Sequence, residues 1–170
     1  MLSSRSRRYV DLMSMMSRGL RGLTETFGRS PITHLAIRHS SVNGTMDAWT
    51  KVFQTFTLLE ELVIGSGSHV VVENIFLGLH AASRTEPDST IACPKLTTVD
   101  IQGRETVEGY DAMCPCFRDR RDSGVVLTTL DLRKFELLTD LHPLTRLGFH
   151  SDLGKSVKCV IPRLTDSELE

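Results

Sequence analysis

The sequence has no long hydrophobic run and little cysteine. Its longest apolar stretches are of strand length, so none approaches the ~20 residues that a membrane-spanning helix needs, and none looks like the core of a signal peptide. The chain of 170 residues has four cysteines, and their uneven spacing argues against a disulfide framework. We therefore expect a protein of a reducing compartment, the cytoplasm or the nucleus.

An excess of charge of one sign is also missing. The chain has 20 Lys and Arg against 21 Asp and Glu, for a net charge of −1 with His neutral. No global field therefore attracts the protein to nucleic acid or to a membrane, and neither is an expected partner. Residues 118–122 form a mixed run of Arg and Asp. We interpret it as an exposed helix face, because a nucleic-acid site needs a larger positive excess.

Local signatures of metal binding and catalysis are missing as well. Cys114 and Cys116 form one short pair, whereas structural zinc needs about four ligands, so we interpret them as buried helix cysteines. Residues 65–68 (Gly-Ser-Gly-Ser) follow a predicted strand, but no Gly-Lys-Ser/Thr completes a phosphate-binding loop. We predict a turn there, and no catalytic residue, metal or cofactor in the chain.

What the sequence does contain is a hexapeptide that occurs twice. Residues 96–101 read Leu-Thr-Thr-Val-Asp-Ile and residues 127–132 read Leu-Thr-Thr-Leu-Asp-Leu, with weaker copies at 32–37 and 59–64. This apolar-x-x-apolar-x-apolar pattern is typical of the strand of a leucine-rich repeat. The fourth positions are 27, 37 and 31 residues apart, which fits one strand and one helix per repeat. These positions are Leu35, Leu62, Val99 and Leu130.

Helices are predicted between the strands. Thr45 is the predicted N-cap of the first, and an apolar stripe follows at i, i+3, i+4 and i+7, which predicts core. Two more helices are predicted at about 70–82 and 108–122, the second with Pro115 as a kink or a delay. The fold class is therefore α/β, a short leucine-rich-repeat-like solenoid with parallel strands on one face and helices on the other. The stripe is Trp49, Val52, Phe53 and Phe56.

The chain divides into three predicted regions. Residues 1–30 form a basic amphipathic helix with Leu12, Met16, Leu20 and Leu23 at helical spacing, expected to pack on the first strand. A mitochondrial transit peptide is one alternative, and a chain that starts partway through a longer gene is another. Residues 31–162 form a repeat domain of four to five strand–helix units, with an imperfect fifth strand at 157–161. Residues 163–170 form a frayed polar tail.

Four segments carry a resemblance to a known family. They are FQTFTLLEEL at 53–62, FLGLHAA at 76–82, IACPKL at 91–96, and the predicted helix at 108–122 with GVVL at 124–127. The stretch 49–135 that contains them resembles the leucine-rich-repeat C-terminal region of F-box proteins from mushroom-forming basidiomycete fungi. The resemblance implies substrate recognition for a cullin-type ubiquitin ligase. No Leu-Pro-x-Glu-like F-box opening occurs in residues 1–60, so the ligase adaptor is an expected partner only if an F-box lies upstream.

The predicted strands also indicate a binding surface. Side chains alternate between the two faces of a strand, so if Leu62 and Ile64 point into the core, their neighbours line the concave face on which solenoids hold partners. We therefore predict a non-catalytic protein–protein interaction module. The alternatives are a truncated or decayed paralogue without a partner, and a small α/β hydrolase or transferase with a pocket of perturbed titratable groups. The candidate contact residues are His34, Ala36, Arg38, Glu61, Val63, Thr98, Asp100, Gln102, Thr129, Asp131 and Arg133.

Overall fold

The part of the chain that the structure describes contains four helices and six strands, which alternate as far as β4. A computed structural model describes residues 4–42, 44–70, 72–83, 91–105, 107–133, 135–137, 151 and 153–161. Residues 138–150 of the predicted repeat domain and the predicted tail at 163–170 lie outside the described residues. In chain order the elements are α1 (Ser4–Phe27), β1 (His34–Val42), α2 (Met46–Thr55), β2 (Glu61–Val70), α3 (Val72–Ala82), β3 (Thr98–Glu105), α4 (Val107–Asp122), β4 (Leu127–Asp131), β5 (Phe135–Leu137) and β6 (Val157–Ile161).

The strands form a single parallel sheet in the order β1-β2-β3-β4-β6. The short strand β5 continues beside the second half of β3. The predicted α/β class with parallel strands is confirmed. The four positions that defined the hexapeptide copies are direct partners across the sheet, and β6 adds the predicted fifth strand. This row reads Leu35, Leu62, Val99, Leu130 and Val160.

Successive strands are joined at their starts by the same pair of main-chain hydrogen bonds. The carbonyls of Thr33, Glu60 and Thr97 each accept two bonds, at 2.7–3.2 Å, from two consecutive N–H groups of the next segment. The geometry of the step is thus kept although the intervening loops differ in length. The donors are residues 60 and 61, then 97 and 98, then 128 and 129.

Helix α2 contributes two large aromatic side chains, Trp49 and Phe53, to the buried core. The hydroxyl of Thr45 accepts a hydrogen bond from the N–H of Ala48 at 3.3 Å, which confirms the predicted N-cap. All four residues of the predicted stripe are buried, and Trp49 stacks on Phe53 with ring centroids 5.8 Å apart. Because each buried aromatic side chain contributes roughly 2–3 kcal/mol, this helix anchors the core that it shares with the sheet.

Helix α1 packs against α2 and not mainly on β1, which corrects the prediction. Its Leu20 is buried, and Ser17 accepts a hydrogen bond from the N–H of Thr45 at 3.2 Å. Gly44 makes the approach feasible, because a Cβ there would lie 2.7 Å from both Leu20 Cδ1 and Trp49 Nε1. The apolar face of α1 therefore packs against the helical layer. The side chain of Leu12 lies outside the described part.

No helix among the described residues is long and apolar enough to cross a membrane.

Three strands run further than predicted. β1 continues to Val42, β3 to Glu105 and β2 to Val70, so the predicted turn at 65–68 is wrong. The physical reason is that the parallel ladder continues through these residues, with Gly65 opposite Arg38 and the next pair beside it. Helix α3 accordingly starts at Val72, later than predicted. The short strand β5 was not predicted at all.

Helix α4 runs through Pro115 without ending there. It ends as predicted at Asp122. Gly124 follows, and its φ of 79° is in the left-handed region that glycine adopts without strain. The N–H of Gly124 donates to the carbonyl of Arg121, and the N–H of Val125 donates to the carbonyl of Arg120, both at 2.9 Å. This pair of bonds is the Schellman arrangement that closes a helix C-terminus.

Candidate functional site on the open face of the sheet

The predicted contact residues share one face of the sheet, here called the open face. Their alternating neighbours Leu62, Val99 and Leu130 are fully buried in the core with the helices. Among the eleven, His34, Ala36, Arg38 and Arg133 are exposed and the others are half-buried. The predicted alternation between core and open face therefore matches the structure along β1 to β4.

The register arranges the open-face residues in rows that cross the sheet. Because residues opposite one another in a sheet have neighbouring side chains, each row forms a contiguous strip of surface. The first row is His34, Glu61, Thr98 and Thr129; the second is Ala36, Val63, Asp100 and Asp131; the third is Arg38, Gly65 and Gln102.

His34 lies at one corner of the open face and contacts two neighbouring side chains. The Nε2 atom of His34 lies 3.5 Å from a carboxylate oxygen of Glu61, and its Nδ1 lies 2.7 Å from the hydroxyl of Thr33. The two side chains of the ion pair are 65% and 40% exposed. Such a solvated pair contributes little to stability, so these side chains remain available to a partner.

Two carboxylates lie side by side in the centre of the open face. Asp100 and Asp131 are direct partners on neighbouring strands, an arrangement that is repulsive unless a cation lies across it. Arg133 supplies the cation: its Nη2 lies 2.6 Å from Asp131 Oδ2, and its Nε and N–H donate to the same carboxylate at 3.0–3.1 Å. The hydrogen bond to Asp131 raises the pKa of Arg133, and the charge of Asp100 adds to the effect.

Asp100 accepts fewer hydrogen bonds than Asp131. Its Oδ2 accepts a hydrogen bond from the side-chain amide of Gln102 at 2.7 Å, and its Oδ1 accepts none among the described residues. An ionised carboxylate offers about four acceptor positions. Asp100 is therefore the open-face group best able to accept a hydrogen bond from an arriving cation.

Gly65 lies in a gap between two longer side chains. A Cβ at this position would meet Arg38 Cγ at 3.2 Å and Gln102 Oε1 at 3.7 Å. The aliphatic part of Arg38 thus lies over the glycine, which is buried although it belongs to the open face. The guanidinium end of Arg38 has no ion pair among the described residues.

The structure also contains a buried arginine that contradicts the sequence interpretation. The run 118–122 was expected to be exposed, but Arg120 is only 2% exposed. It donates from Nη1 to the carbonyl of Ala92 at 2.6 Å and from Nη2 to that of Cys93 at 2.8 Å. Burial lowers the pKa of Arg120. The reason for the burial is position, because Arg120 follows Met113 and Phe117 on the core face of α4.

The buried thiols near Arg120 are structural. Cys93 has a left-handed φ of 47°, and its Sγ lies 3.5 Å from the carbonyl oxygen of Phe53 and 3.4 Å from that of Phe56, where α2 ends. Burial raises the pKa of Cys93 and of Cys116 to about 12. Both are therefore neutral thiols at physiological pH and poor nucleophiles. Cys114 is half-buried.

Comparison with protein-family models, curated proteins and solved structures found no match. The resemblance to fungal F-box proteins therefore stays a prediction. What the open face binds has to be inferred from its own side chains.

Two clefts lie away from the open face. One of about 450 Å³ separates α1 from α2 beside Ser17 and Thr45, and one of about 200 Å³ lies between residues 28–32 and 55–58. In the described ranges no three His, Cys, Asp or Glu side chains are grouped to hold a metal ion.

Proposed function

We propose that the chain is a non-catalytic protein-binding module. Its open face takes a protein partner that places a basic side chain over Asp100. The observation that carries this proposal is the pair of neighbouring carboxylates Asp100 and Asp131. Asp131 is bonded to Arg133, whereas one oxygen of Asp100 accepts no hydrogen bond from the part of the chain that the structure describes.

The same proposal includes the architecture. Units of one strand and one helix that repeat side by side generate a solenoid. Three consecutive units, β1–α2, β2–α3 and β3–α4, follow this order, and the same two main-chain bonds recur at each step between strands. These features support a short leucine-rich-repeat-like solenoid with the open face on its concave side.

The chemistry favours a partner with Lys or Arg at the contact. A hydrogen bond to a charged group contributes roughly 1.5–3 kcal/mol when it is shielded from water, and Asp100 is half-buried already. Val63 lies next to it in the same row and gives an apolar support to the aliphatic part of a basic side chain.

The proposed partner is the substrate of a cullin-type ubiquitin ligase. This part rests on the resemblance of the segments at 53–62, 76–82 and 91–96 to fungal F-box proteins. Binding of the ligase adaptor is proposed only for a form that carries an F-box upstream of this domain.

The test compares two charge reversals of the same size. Asp100→Lys changes the open face, and Asp111→Lys changes an exposed position on α4. The wild-type chain and the two variants are each used to capture proteins from a lysate of the source organism. The captured proteins are quantified by mass spectrometry. We expect a captured partner to fall by about tenfold with Asp100→Lys and to be unchanged with Asp111→Lys. Equal capture of a partner by all three chains contradicts the proposal, and the absence of any captured partner supports a paralogue without one.

A further inference from the structure

Strand β1 forms one edge of the sheet. The carbonyl of Thr33 bonds to the N–H of Glu61, so the odd-numbered residues of this strand direct their main-chain groups toward β2. In a parallel ladder the intervening residues direct theirs the opposite way. The N–H and C=O groups of His34, Ala36 and Arg38 therefore point away from the sheet, and no described residue bonds to them.

The apolar side of this edge is incompletely covered. Leu35 is 8% exposed, whereas its partners Leu62 and Val99 are 0% exposed. Ile37 is only half-buried, whereas its partner Ile64 is 1% exposed. Because α1 packs mainly against α2, it leaves part of the core surface above the edge exposed.

The open-face side of the edge is cationic. His34 interacts with Glu61, whereas Arg38 is exposed and has no ion pair among the described residues. A neighbouring acidic side chain would complement Arg38, since opposite charges on adjacent strands attract.

We infer that the edge of β1 is a docking surface for an extended peptide segment of a partner protein, which adds to the sheet as one more strand. Its apolar side chains cover Leu35 and Ile37, and an acidic side chain lies beside Arg38. Strand addition of this kind obtains affinity from main-chain hydrogen bonds and specificity from alternate side chains. This surface is separate from the proposed contact at Asp100 and does not depend on it.

A second copy of the chain fits the edge less well. Antiparallel pairing of two β1 strands about Ala36 places His34 of one copy opposite Arg38 of the other. Both carry positive charge when the histidine is protonated, and like charges directly opposite are destabilising. The charge at the edge therefore favours an acidic peptide over self-association.

The first test uses synthetic peptides and the full wild-type chain. The probe is a fluorescein-labelled peptide of about ten residues in which Val or Ile alternates with Glu, and binding is measured by fluorescence anisotropy. We expect the Glu peptide to bind and the same peptide with Lys in place of Glu to bind about tenfold more weakly. Absence of binding of the Glu peptide at millimolar concentration, or equal binding of both peptides, overturns the proposal.

N-methylated peptides test whether the main chain carries the binding. One version is methylated at the amides of the apolar residues and the other at those of the Glu residues, so each loses the donors along one side of the strand. We expect one version to lose binding and the other to keep it. Loss in the first indicates a parallel added strand, and loss in the second an antiparallel one. Binding by both versions overturns the proposal.

Variants of the edge complete the test. Ala36→Pro removes an outward N–H without removing a bond to β2, and proline is tolerated at such edge positions, whereas Ala36→Thr keeps the N–H as the matched control. We expect only the proline variant to lose the peptide, with an unchanged circular dichroism spectrum, and Arg38→Glu to prefer the Lys peptide. Asp100→Lys should bind the Glu peptide normally, which separates this surface from the open-face contact. Unchanged affinity of Ala36→Pro, or a dimer in sedimentation that this variant dissociates, overturns the proposal.

Discussion

The guanidinium of Arg120 donates to the main-chain carbonyl of Cys93 at 2.8 Å and so ties α4 to the turn that precedes β3. The thiol of Cys93 in turn lies against the carbonyls of Phe53 and Phe56 at the end of α2. These buried polar contacts therefore link α4, the turn before β3 and the end of α2 on the helical side of the sheet. They fix the layer of helices that holds the open face in place.

Replacing Arg120 should destabilise the fold strongly. Arg120→Met keeps much of the side-chain volume but leaves the buried carbonyl of Ala92 without its donor, so we expect a loss of about 2–3 kcal/mol. The carbonyl of Cys93 keeps its bond from Leu96. The measurement is urea unfolding of each purified chain. Arg118→Met is the control, since this exposed position on the same helix should change stability by less than about 0.5 kcal/mol. Equal stability of the two variants would show that Arg120 is not a structural tie.

The buried thiols predict a loss of stability in alkali. The pKa of Cys93 and of Cys116 is about 12 in the folded chain, against 9.0 for an ordinary thiol. Between these values the unfolded chain has released protons that the folded chain still holds, so rising pH favours unfolding. Each thiol lowers the free energy of unfolding by about 1.4 kcal/mol per pH unit there, and has no such effect below about pH 9.

Unfolding between about pH 8 and 10.5 measures this dependence. Cys116→Ala removes one of the two thiols, so its free energy of unfolding should fall less steeply with pH than that of the wild type. Parallel curves for the two chains would contradict the assignment of buried neutral thiols.

Periodicity predicted the parts of the fold that depend on local pattern. The spacing of apolar residues was sufficient to place four of them in one row across the sheet: Leu35, Leu62, Val99 and Leu130. The apolar stripe after Thr45 was sufficient to predict helix α2 and its buried face. Strand lengths were not predictable in this way, because the Gly-Ser stretch at 65–68 is held by pairing with β1 and not by its own preference.

The polar contacts were likewise predictable only in part from the sequence. Alternation placed the open-face residues, but the hydrogen bonds of Arg133 to Asp131 depend on the turn that follows β4. Arg120 lies at helical spacing from Met113 and Phe117, which was a usable signal. It was missed because an arginine within a run of charged residues is more often exposed.

A close contact between two helices gives a prediction about glycine. A Cβ at Gly78 of α3 would lie 2.6 Å from Trp49 Cβ and 3.0 Å from the carbonyl oxygen of Met46. Gly78→Ala should therefore destabilise by roughly 1–3 kcal/mol through overpacking. Gly19 of α1 has nothing within 4 Å of its added Cβ, so Gly19→Ala should stabilise by about 0.5–1 kcal/mol through helix propensity. Thermal unfolding of both variants checks the opposite signs, and a stabilised Gly78→Ala would contradict the close packing of α2 and α3.

Removing Arg133 should strengthen the proposed binding of a basic partner. This arginine pairs with Asp131, and its charge interacts with Asp100, so Arg133→Gln removes a cation and makes the centre of the open face more negative. We expect a several-fold gain in affinity for the partner that Asp100→Lys loses, together with a steeper fall of affinity as salt is added, because exposed charges are screened. Titrations at low and high sodium chloride measure both effects, with Arg118→Gln as a control for the same loss of charge away from the face. A weaker partner affinity with Arg133→Gln would mean that the arginine is itself a contact and that the partner presents an acidic group.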